Sequence, residues 1–340
     1  MIRRLVALVL VLALAGALLV LLWPQLVEWQ RHVVVAQAVA LRGVAAVVAA
    51  VLVVVLVVVG LVARGVRPLT SSAAVLLLVF GAVQVGIVGA RGIGRDDFTE
   101  PVPTDVTVLA WNTLGGVPGP ERIAQLALEQ EADVVSLPET DAGTAAAVVA
   151  TMAEGGRTMW SHTVDGAAPT TILVDTALGE YRPATAEDGT TPLDPTPGMP
   201  TVVVVPTSGT GPTFVAAHPI SPVPERMDDW RAGLGALADL CSVEGADVVV
   251  AGDLNATLDH LSGLGSDRGQ LGRCRDAALG TANGSVGTWP SSLPPLLASP
   301  IDHVLATGQW LPTGFRVVTD LDDAGSDHRP VVAQLSRTGA

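Results

Sequence analysis

The sequence contains no lysine among its 340 residues, so all 19 of its basic side chains are arginines. It also has one tyrosine and only two cysteines, Cys241 and Cys274. Two cysteines are too few for a disulfide-scaffold protein, and neither lies in a C-x-x-C metal-binding pattern. They are able to pair if this part of the chain is exported, whereas in the cytosol they would be buried thiols. The sequence leaves both alternatives open.

Positive charge is especially scarce after residue 100. Between residues 101 and 340, 11 arginines stand against 29 aspartates and glutamates, which gives a net charge of −18. A surface this acidic repels polyanions, so we expect no stable nucleic-acid partner. It does not exclude a nuclease, because bound divalent cations would offset charge at the site.

The first 95 residues contain three apolar runs, each about as long as a bilayer is thick, at Leu5–Leu22, Val44–Ala63 and Ser72–Ala90. Runs of this length predict three transmembrane helices in a membrane domain spanning residues 1–95. A cleaved signal peptide is the alternative for the first run, but the two further runs favour a retained helix. Their polar content is low apart from Gln84, which argues against a transporter.

Arginines flank these runs and predict the orientation of the chain. The arginines expected on the cytoplasmic side are Arg3, Arg4, Arg64 and Arg67. Three helices that start inside place the rest of the chain outside the cytoplasm, as part of a multi-pass protein of the cell membrane. The bias is weak, because four arginines lie on the other side, namely Arg31, Arg42, Arg91 and Arg95.

Charged, glycine and proline residues follow the third run, and this composition predicts a linker at residues 96–103. A second domain then covers residues 104–337. In this domain Val248–Val250 predicts a buried strand, followed by Gly252, Asp253 and Asn255. The last two side chains are two residues apart and point the same way in extended geometry. This pair suits a site where water loses a proton beside a phosphate or a metal.

Other polar side chains also stand at the ends of predicted strands. These are Asn112 after residues 105–110, Glu139 after 133–137, His218 after 213–217, Asp302 and His303 at the start of an apolar strand, and Asp327 and His328 before the last strand. Each has an ordinary alternative when taken singly, such as a turn residue, a helix cap or a structural histidine. A carboxylate directly after a buried strand is also a good ligand for a hard cation.

Taken in order, the motifs W-N, P-E-T, H-P, G-D-L-N-A, I-D-H and S-D-H-R-P-V resemble the endonuclease/exonuclease/phosphatase (DNase I-like) superfamily, especially its bacterial membrane-anchored members. The resemblance covers residues 104–336. It implies an α/β fold, a four-layer α/β/β/α sandwich of two mixed sheets. It also implies Mg²⁺- or Mn²⁺-dependent hydrolysis of a phosphate ester by in-line attack of water.

The resemblance also implies roles for the individual residues. Glu139 would be the principal metal ligand with Asn112 beside it, and Asp327 a second ligand or a site acid. Asp253 would orient or deprotonate the attacking water, and Asn255 would hold the phosphate. His328, oriented by Asp302, would contact the scissile phosphate, and His218 would stabilise charge on the other side.

Two positions depart from patterns found in the family: Pro138 stands where a glutamine often precedes the metal-binding glutamate, and Leu114 stands where the apurinic endonucleases carry an aspartate. Repair of abasic DNA is therefore not expected. The substrate classes left open are lipid headgroups, small phosphate esters and nucleic acid. We expect specificity to lie in the loops of residues 155–200 and 261–300. The alternative function is a non-catalytic binding or scaffold protein that retains the fold.

Overall fold

The computed structural model describes residues 2–95, 97–188 and 199–338. The chain forms two compact units that meet in sequence at the Arg91–Gly92 bond.

Helices make up the first unit. They are α1 (Ile2–Leu22), the short α2 (Val35–Val39), α3 (Arg42–Val62) and α4 (Arg67–Arg91), with single 3₁₀ turns at Pro24–Val27 and Arg64–Val66. Helices α1, α3 and α4 are long and apolar enough to cross a membrane. They pack through Leu18, Ala49, Leu77 and Phe80. Many other apolar side chains stay exposed, such as Val54 and Leu61 at 64 % each, as expected for helices surrounded by lipid.

The second unit contains twelve strands and five helices in its described part. The strands are β1 (Val106–Ala110), β2 (Val134–Pro138), β3 (Met159–Val164), β4 (Thr170–Asp175), β5 (Tyr181–Pro183), β6 (Val202–Pro206), β7 (Thr213–Ala217), β8 (Val248–Asp253), β9 (Arg275–Asp276), β10 (Asp302–Ala306), β11 (Trp310–Val317) and β12 (Val331–Arg337). The helices are α5 (Pro120–Glu129), α6 (Ala142–Glu154), α7 (Met227–Ser242), α8 (Leu258–Leu261) and α9 (Ala277–Gly280), with 3₁₀ turns at Thr176–Leu178, Ala186–Asp188 and Pro224–Arg226.

These strands form two six-stranded mixed sheets. The strand order is β11-β12-β1-β2-β4-β3 in the first sheet and β5-β6-β7-β8-β10-β9 in the second. Among the described strands, only β1 with β2 and β7 with β8 pair in parallel. Parallel neighbours need a crossover connection, which α5 supplies between β1 and β2 and α7 supplies between β7 and β8. The helices therefore cover the outer faces of the sheets.

Successive residues of the central strands are apolar, so each sheet has one apolar face toward the other sheet and one toward the helices. The two sheets therefore pack face to face. Val108 and Ala110 of β1 belong to the core between the sheets, whereas Leu109 faces a second core formed with α5 and α6. Ser136 also donates its hydroxyl across the sheets to the Ala251 carbonyl at 2.8 Å. The predicted four-layer α/β/β/α sandwich is confirmed.

Strands that the sequence does not predict lie mainly at sheet edges. Strands β3 and β11 form the edges of the first sheet, and β5 forms an edge of the second. Edge strands tolerate proline and irregularity because one side has no ladder to maintain. Strand β11 accordingly contains Pro312 and a register shift between Pro312 and Gly314. Within residues 155–200, where we expect part of the specificity to lie, residues 189–198 are outside the described residues.

The stretch with linker composition pairs with the second unit where it is described. Arg95 donates its backbone N–H to Asn283 Oδ1 at 3.0 Å, and Thr99 donates to the Thr313 carbonyl at 3.1 Å. The guanidinium of Arg316 lies 5.4 Å from the centroid of the Phe98 ring. Proline and charge in a sequence do not prevent a segment from packing along a domain surface.

Candidate active site

The site lies where the ends of six strands meet, three from each sheet. Asn112 follows β1 and Glu139 follows β2, while the S-D-H segment with His328 precedes β12, which starts beside the end of β1. In the second sheet His218 follows β7, Asp253 ends β8, and Asp302 begins β10 directly opposite Asp253. The polar residues predicted from the strand ends therefore converge from both sheets.

Glu139 has a backbone conformation that is unusual for a residue with a side chain. Its φ is 57°, in the left-handed region, which costs of the order of 1 kcal/mol for a residue other than glycine. The buried Thr113 hydroxyl donates to the Glu139 carbonyl at 3.0 Å and lies 2.7 Å from the Thr140 hydroxyl. These hydroxyls hold the peptide so that the carboxylate turns back over the strand end, where its side chain is 23 % exposed.

Asn112 links carboxylates of the two sheets. Its Nδ2 donates to Glu139 Oε1 at 3.0 Å and to Asp253 Oδ2 at 3.1 Å. Its Oδ1 accepts from the Leu114 backbone N–H at 3.0 Å. The side chain therefore presents nitrogen rather than oxygen to the site, so in this conformation Asn112 positions the carboxylates and does not offer the oxygen that its predicted role as a metal ligand requires.

The turn after β8 places Asp253 and Asn255 together. Gly252 has a φ of 143°, and a Cβ there would lie 2.2 Å from the Ala217 carbonyl oxygen, so only glycine fits. Asn255 has a φ of 48°, which asparagine adopts more readily than most residues. Its backbone N–H donates to Asp253 Oδ1 at 2.8 Å, and its Nδ2 donates to the Pro219 carbonyl at 3.1 Å.

Two histidines flank Asp253. The Nε2 atom of His328 lies 3.7 Å from Asp253 Oδ2, and that of His218 lies 3.9 Å from the same oxygen and 3.8 Å from Glu139 Oε1. The His328 Nδ1 is held by Asp302 Oδ2 at 2.8 Å, which fixes the ring. His218 is fully buried, and neither ring nitrogen has a hydrogen bond among the described residues.

The acidic residue of the S-D-H motif, Asp327, lies beside an aromatic side chain at the rim of the site. Trp289 donates its Nε1–H to Asp327 Oδ2 at 2.8 Å, and its ring centroid lies 6.5 Å from that of His328. Trp289 is 38 % exposed. Ser326 of the same motif donates to the Asn112 carbonyl at 2.6 Å and accepts from the His328 backbone N–H at 3.1 Å.

Burial and charge separate the protonation states of the two histidines. Burial lowers the pKa of His328, but Asp302 and Asp253 outweigh it and raise that pKa to about 10. Burial and the His328 charge together lower the pKa of His218 to about 4. At neutral pH His328 is therefore a cation and His218 is neutral. Burial, with the charge of Asp302, raises the pKa of Asp253 against the opposing effect of His328.

The donor set fits a hard divalent cation. Glu139, Asp253 and Asp302 bring three carboxylates to the site, and the buried Oδ1 of Asp302 has no hydrogen bond among the described residues. A carboxylate oxygen of Asp253, one of Asp302 and a ring nitrogen of His328 lie within 4.8 Å of one another, and the two carboxylates are the available ligands because a protonated His328 has no lone pair. The excess of carboxylates over imidazolium also leaves negative charge for a cation to neutralise. By this measure the candidate ligands include Asp253 and Asp302, which the sequence assigns to catalysis.

Sequence reasoning missed the residues that support this constellation, namely Thr113, Thr140, Trp289 and Ser326. Hydroxyls that bond a backbone carbonyl carry no sequence signal of their own. Trp289 does have a signal, because it stands in the string T-W-P at residues 288–290, between two of the family-like motifs. The opposite error concerns His303, which the sequence groups with Asp302 at the site edge. Adjacent residues of a strand point to opposite faces, so His303 lies on the far side of the sheet.

Residues 109–328 match the Endonuclease/Exonuclease/phosphatase family. The chain belongs to this family. No curated protein matches the sequence. Among solved structures, an endonuclease/exonuclease/phosphatase from Beutenbergia cavernae is similar, with 21 % identity, a TM-score of 0.52 and coverage of 70 % of this chain and 72 % of that one.

Two further structures share the fold. An endonuclease/exonuclease/phosphatase from Bacteroides vulgatus has 17 % identity and a TM-score of 0.51, covering 69 % of this chain and all of that one. D. rerio TDP2, solved in complex with a single-stranded DNA product, has 14 % identity and a TM-score of 0.51, covering 68 % and 99 %. The fold is thus shared with proteins whose sequences differ widely from this one.

Proposed function

We propose that this chain is a membrane-anchored, extracytoplasmic hydrolase of phosphate esters that depends on Mg²⁺ or Mn²⁺. The observation that carries the proposal is the convergence of Glu139, Asp253 and the His328–Asp302 pair from two sheets. Membership of the family supports hydrolysis in general. The metal requirement, the side of the membrane and the substrate are the parts proposed here.

Glu139 is the proposed principal metal ligand, because its carboxylate is more accessible than that of Asp253, the other carboxylate to which Asn112 donates. Asp327 is proposed as a second ligand or site acid at the rim. A bound divalent cation supplies Lewis-acid polarisation of the phosphoryl oxygens and lowers the pKa of nearby water. Asn112 holds Glu139 and Asp253 at a fixed separation, which the two carboxylates would otherwise increase by repulsion.

The chain's own residues account for the remaining steps. Asp253 accepts a proton from the attacking water, whose oxygen forms a bond to phosphorus as the bond to the leaving oxygen breaks. The His328 imidazolium, fixed by Asp302, stabilises negative charge on the phosphoryl oxygens. Asn255 and the neutral His218 stand on the other side of Asp253, where they hold the phosphate and stabilise charge.

Two observations support the membrane-anchored, extracytoplasmic location. The first unit contains three helices long and apolar enough to cross a membrane. Cys241 and Cys274 form a disulfide, the alternative expected for an exported domain, and disulfides persist in oxidising compartments. With a cytoplasmic N-terminus, which is part of the proposal, three crossings place the second unit outside the cytoplasm.

Lipid headgroups and small phosphate esters are the favoured substrates. A net charge of −18 over residues 101–340 opposes the approach of long polyanions, and a bilayer tether keeps lipid substrate close. The DNA product bound to D. rerio TDP2 keeps nucleic acid as a class to be tested.

The test uses the full chain in nanodiscs with Mg²⁺ or Mn²⁺. Plasmid DNA, bis-p-nitrophenyl phosphate, a phosphomonoester and phospholipid vesicles are assayed in parallel, with Asp253→Asn as the inactive variant and Asp239→Asn, at an exposed position of α7, as the matched control. We expect hydrolysis that EDTA and Asp253→Asn abolish and Asp239→Asn preserves. Metal binding without turnover on any substrate would instead favour a binding or scaffold role.

Orientation needs a separate experiment. Alkaline phosphatase and green fluorescent protein are fused in turn after Ala340, because the first is active only outside the bacterial cytoplasm and the second fluoresces inside it. We expect active alkaline phosphatase and no fluorescence. The reverse result would place the catalytic unit in the cytoplasm and reject this part of the proposal.

A further inference from the structure

Strand β10 carries two neighbouring polar residues that serve opposite faces of the second sheet. Asp302 faces the site and holds His328. His303 faces away and is 2 % exposed. Its Nδ1 lies 2.6 Å from Asp276 Oδ2, and its Nε2 lies 2.8 Å from the Ala256 carbonyl oxygen.

The chemistry of these partners fixes what the ring does. A carbonyl oxygen only accepts hydrogen bonds, so Nε2 carries a proton and donates it to Ala256. Asp276 is itself anchored, because its Oδ1 accepts from the Leu279 backbone N–H at 2.7 Å. The Asp276 carboxylate, whose other oxygen lies 2.6 Å from His303 Nδ1, therefore fixes the orientation of the ring.

The Ala256 carbonyl belongs to the turn that carries Asn255. The turn is held on its other side by Trp230, whose Nε1 donates to the Asn255 carbonyl at 3.1 Å. Its start is held by the Leu254 N–H, which donates to the Ile301 carbonyl at 3.0 Å. His303 therefore fixes the last peptide of a turn in which Asn255 adopts a left-handed conformation. Release of this peptide would let Asn255 relax and would free its bond to Asp253.

We propose that His303 is a positioning residue: by donating Nε2–H to the Ala256 carbonyl, it holds the turn that sets Asn255 against Asp253. Asp276 holds the ring in place. The effect on catalysis rests on the proposed function, whereas the effect on the turn does not.

The test compares two substitutions that each retain one of the two hydrogen bonds. In His303→Gln the amide nitrogen takes the place of Nε2 and can still reach Ala256. In His303→Asn the amide nitrogen takes the place of Nδ1 and can reach only Asp276. Each variant loses one of the two buried hydrogen bonds of His303, so we expect similar losses of thermal stability.

Activity should separate the two variants. With the full chain in nanodiscs, Mn²⁺ and bis-p-nitrophenyl phosphate, we expect His303→Gln to keep kcat within about threefold and His303→Asn to lower it by about ten- to a hundredfold, with KM little changed. His162 provides a matched control, because its Nε2 also lies 3.0 Å from a backbone carbonyl, that of Tyr181. His162→Gln and His162→Asn should have equal kcat.

A second readout does not require activity. Hydrogen exchange of the peptide covering residues 253–257 should be faster in His303→Asn than in His303→Gln. Equal kcat and equal exchange in the two variants would overturn the proposal. A wild-type chain that hydrolyses no substrate would reject the proposed function, and the exchange comparison would still decide the role of His303.

One further variant covers the case in which His303→Asn does not fold. Asp276→Asn removes the carboxylate but leaves Nε2–H on a neutral ring. We expect lower stability with exchange of residues 253–257 close to that of the wild-type chain. If residues 253–257 of Asp276→Asn exchanged as fast as an unstructured peptide, the proposal would be overturned.

Discussion

The Nδ1 atom of His328 lies 2.8 Å from Oδ2 of Asp302, and this contact joins the two sheets across the site. His328 precedes the last strand of the first sheet, and Asp302 begins β10 of the second. Because the ring is held at Nδ1, its Nε2 is directed toward Asp253 at 3.7 Å. The pair therefore fixes both the orientation and the charge of the imidazole.

Asp302→Asn should lower the pKa of His328 from about 10 toward its ordinary value of 6.5 or below. Burial alone favours the neutral ring, and Asp302 is the largest effect opposing it. Nitrogen-15 NMR of the imidazole in the metal-free full chain measures this pKa directly. A pKa unchanged by the substitution would contradict the assigned role of Asp302.

The same pair should make stability depend on pH. The pKa of His328 is raised in the folded chain, so its contribution is complete below pH 6.5 and is lost as pH rises toward 10. We expect the stability difference between the wild-type chain and Asp302→Asn to shrink over this interval. Thermal unfolding of both proteins at several pH values provides the measurement, and a difference that grows with pH would be inconsistent with the pair.

Removal of the disulfide should destabilise the second unit without changing the site. Cys241 and Cys274 are both buried and are separated by 33 positions in sequence. Cross-linking a loop of this length contributes about 3–4 kcal/mol to the free energy of unfolding. The double variant Cys241→Ala/Cys274→Ala should therefore unfold at lower denaturant concentration, as should the wild-type chain under reducing conditions. Equal stability with and without reductant would mean that the disulfide contributes nothing.

Arg329→Met should destabilise the fold by about 3 kcal/mol, because the guanidinium is 1 % exposed and fully engaged. It bonds the Asp322 carboxylate through Nε and Nη2 at 2.7 Å each. It also donates to three carbonyls of the segment that carries Trp289, those of Gly287, Ser291 and Leu293.

A matched control for this substitution is Arg226→Met. Arg226 forms a partly exposed ion pair with Asp229 three residues away, and such pairs contribute at most about 1 kcal/mol. Denaturant unfolding compares the two variants. Similar losses of unfolding free energy in both variants would show that the buried hydrogen bonds of Arg329 stabilise the fold no more than the exposed ion pair of Arg226 does.

The fold follows from the sequence wherever a strand is buried on both faces. Continuous apolar runs such as Val248–Ala251 are typical of strands buried on both faces, and the helical crossovers between parallel strands follow from chain geometry. Edge strands are less constrained by burial, so β3 and β11 carry weak patterns. The predicted linker, residues 96–103, likewise has the composition of a flexible connection, yet Thr99 donates its backbone N–H to the carbonyl of Thr313, which is distant in sequence.

The site could be predicted as a set of strand ends, because polar residues after buried strands are unexpected unless they have a function. The sequence does not show which way each of these side chains points. Asn112 turns its nitrogen to the carboxylates because the Leu114 N–H takes its oxygen. His303 follows Asp302 in the chain but lies on the opposite face, where it bonds Asp276. Thr113 supports Glu139 through a backbone carbonyl, an interaction that no motif records.

The central claim is that the constellation around Glu139 and Asp253 hydrolyses phosphate esters with a divalent cation. The most direct test is the rate of bis-p-nitrophenyl phosphate hydrolysis by the full chain as Mn²⁺ is titrated, for the wild-type chain, Glu139→Gln, and Glu154→Gln at an exposed position of α6 as control. We expect saturable activation in the wild-type chain and Glu154→Gln, and a rate lower by about a hundredfold or more in Glu139→Gln. Equal rates in all three proteins, or a rate that does not respond to Mn²⁺ or EDTA, would contradict the claim.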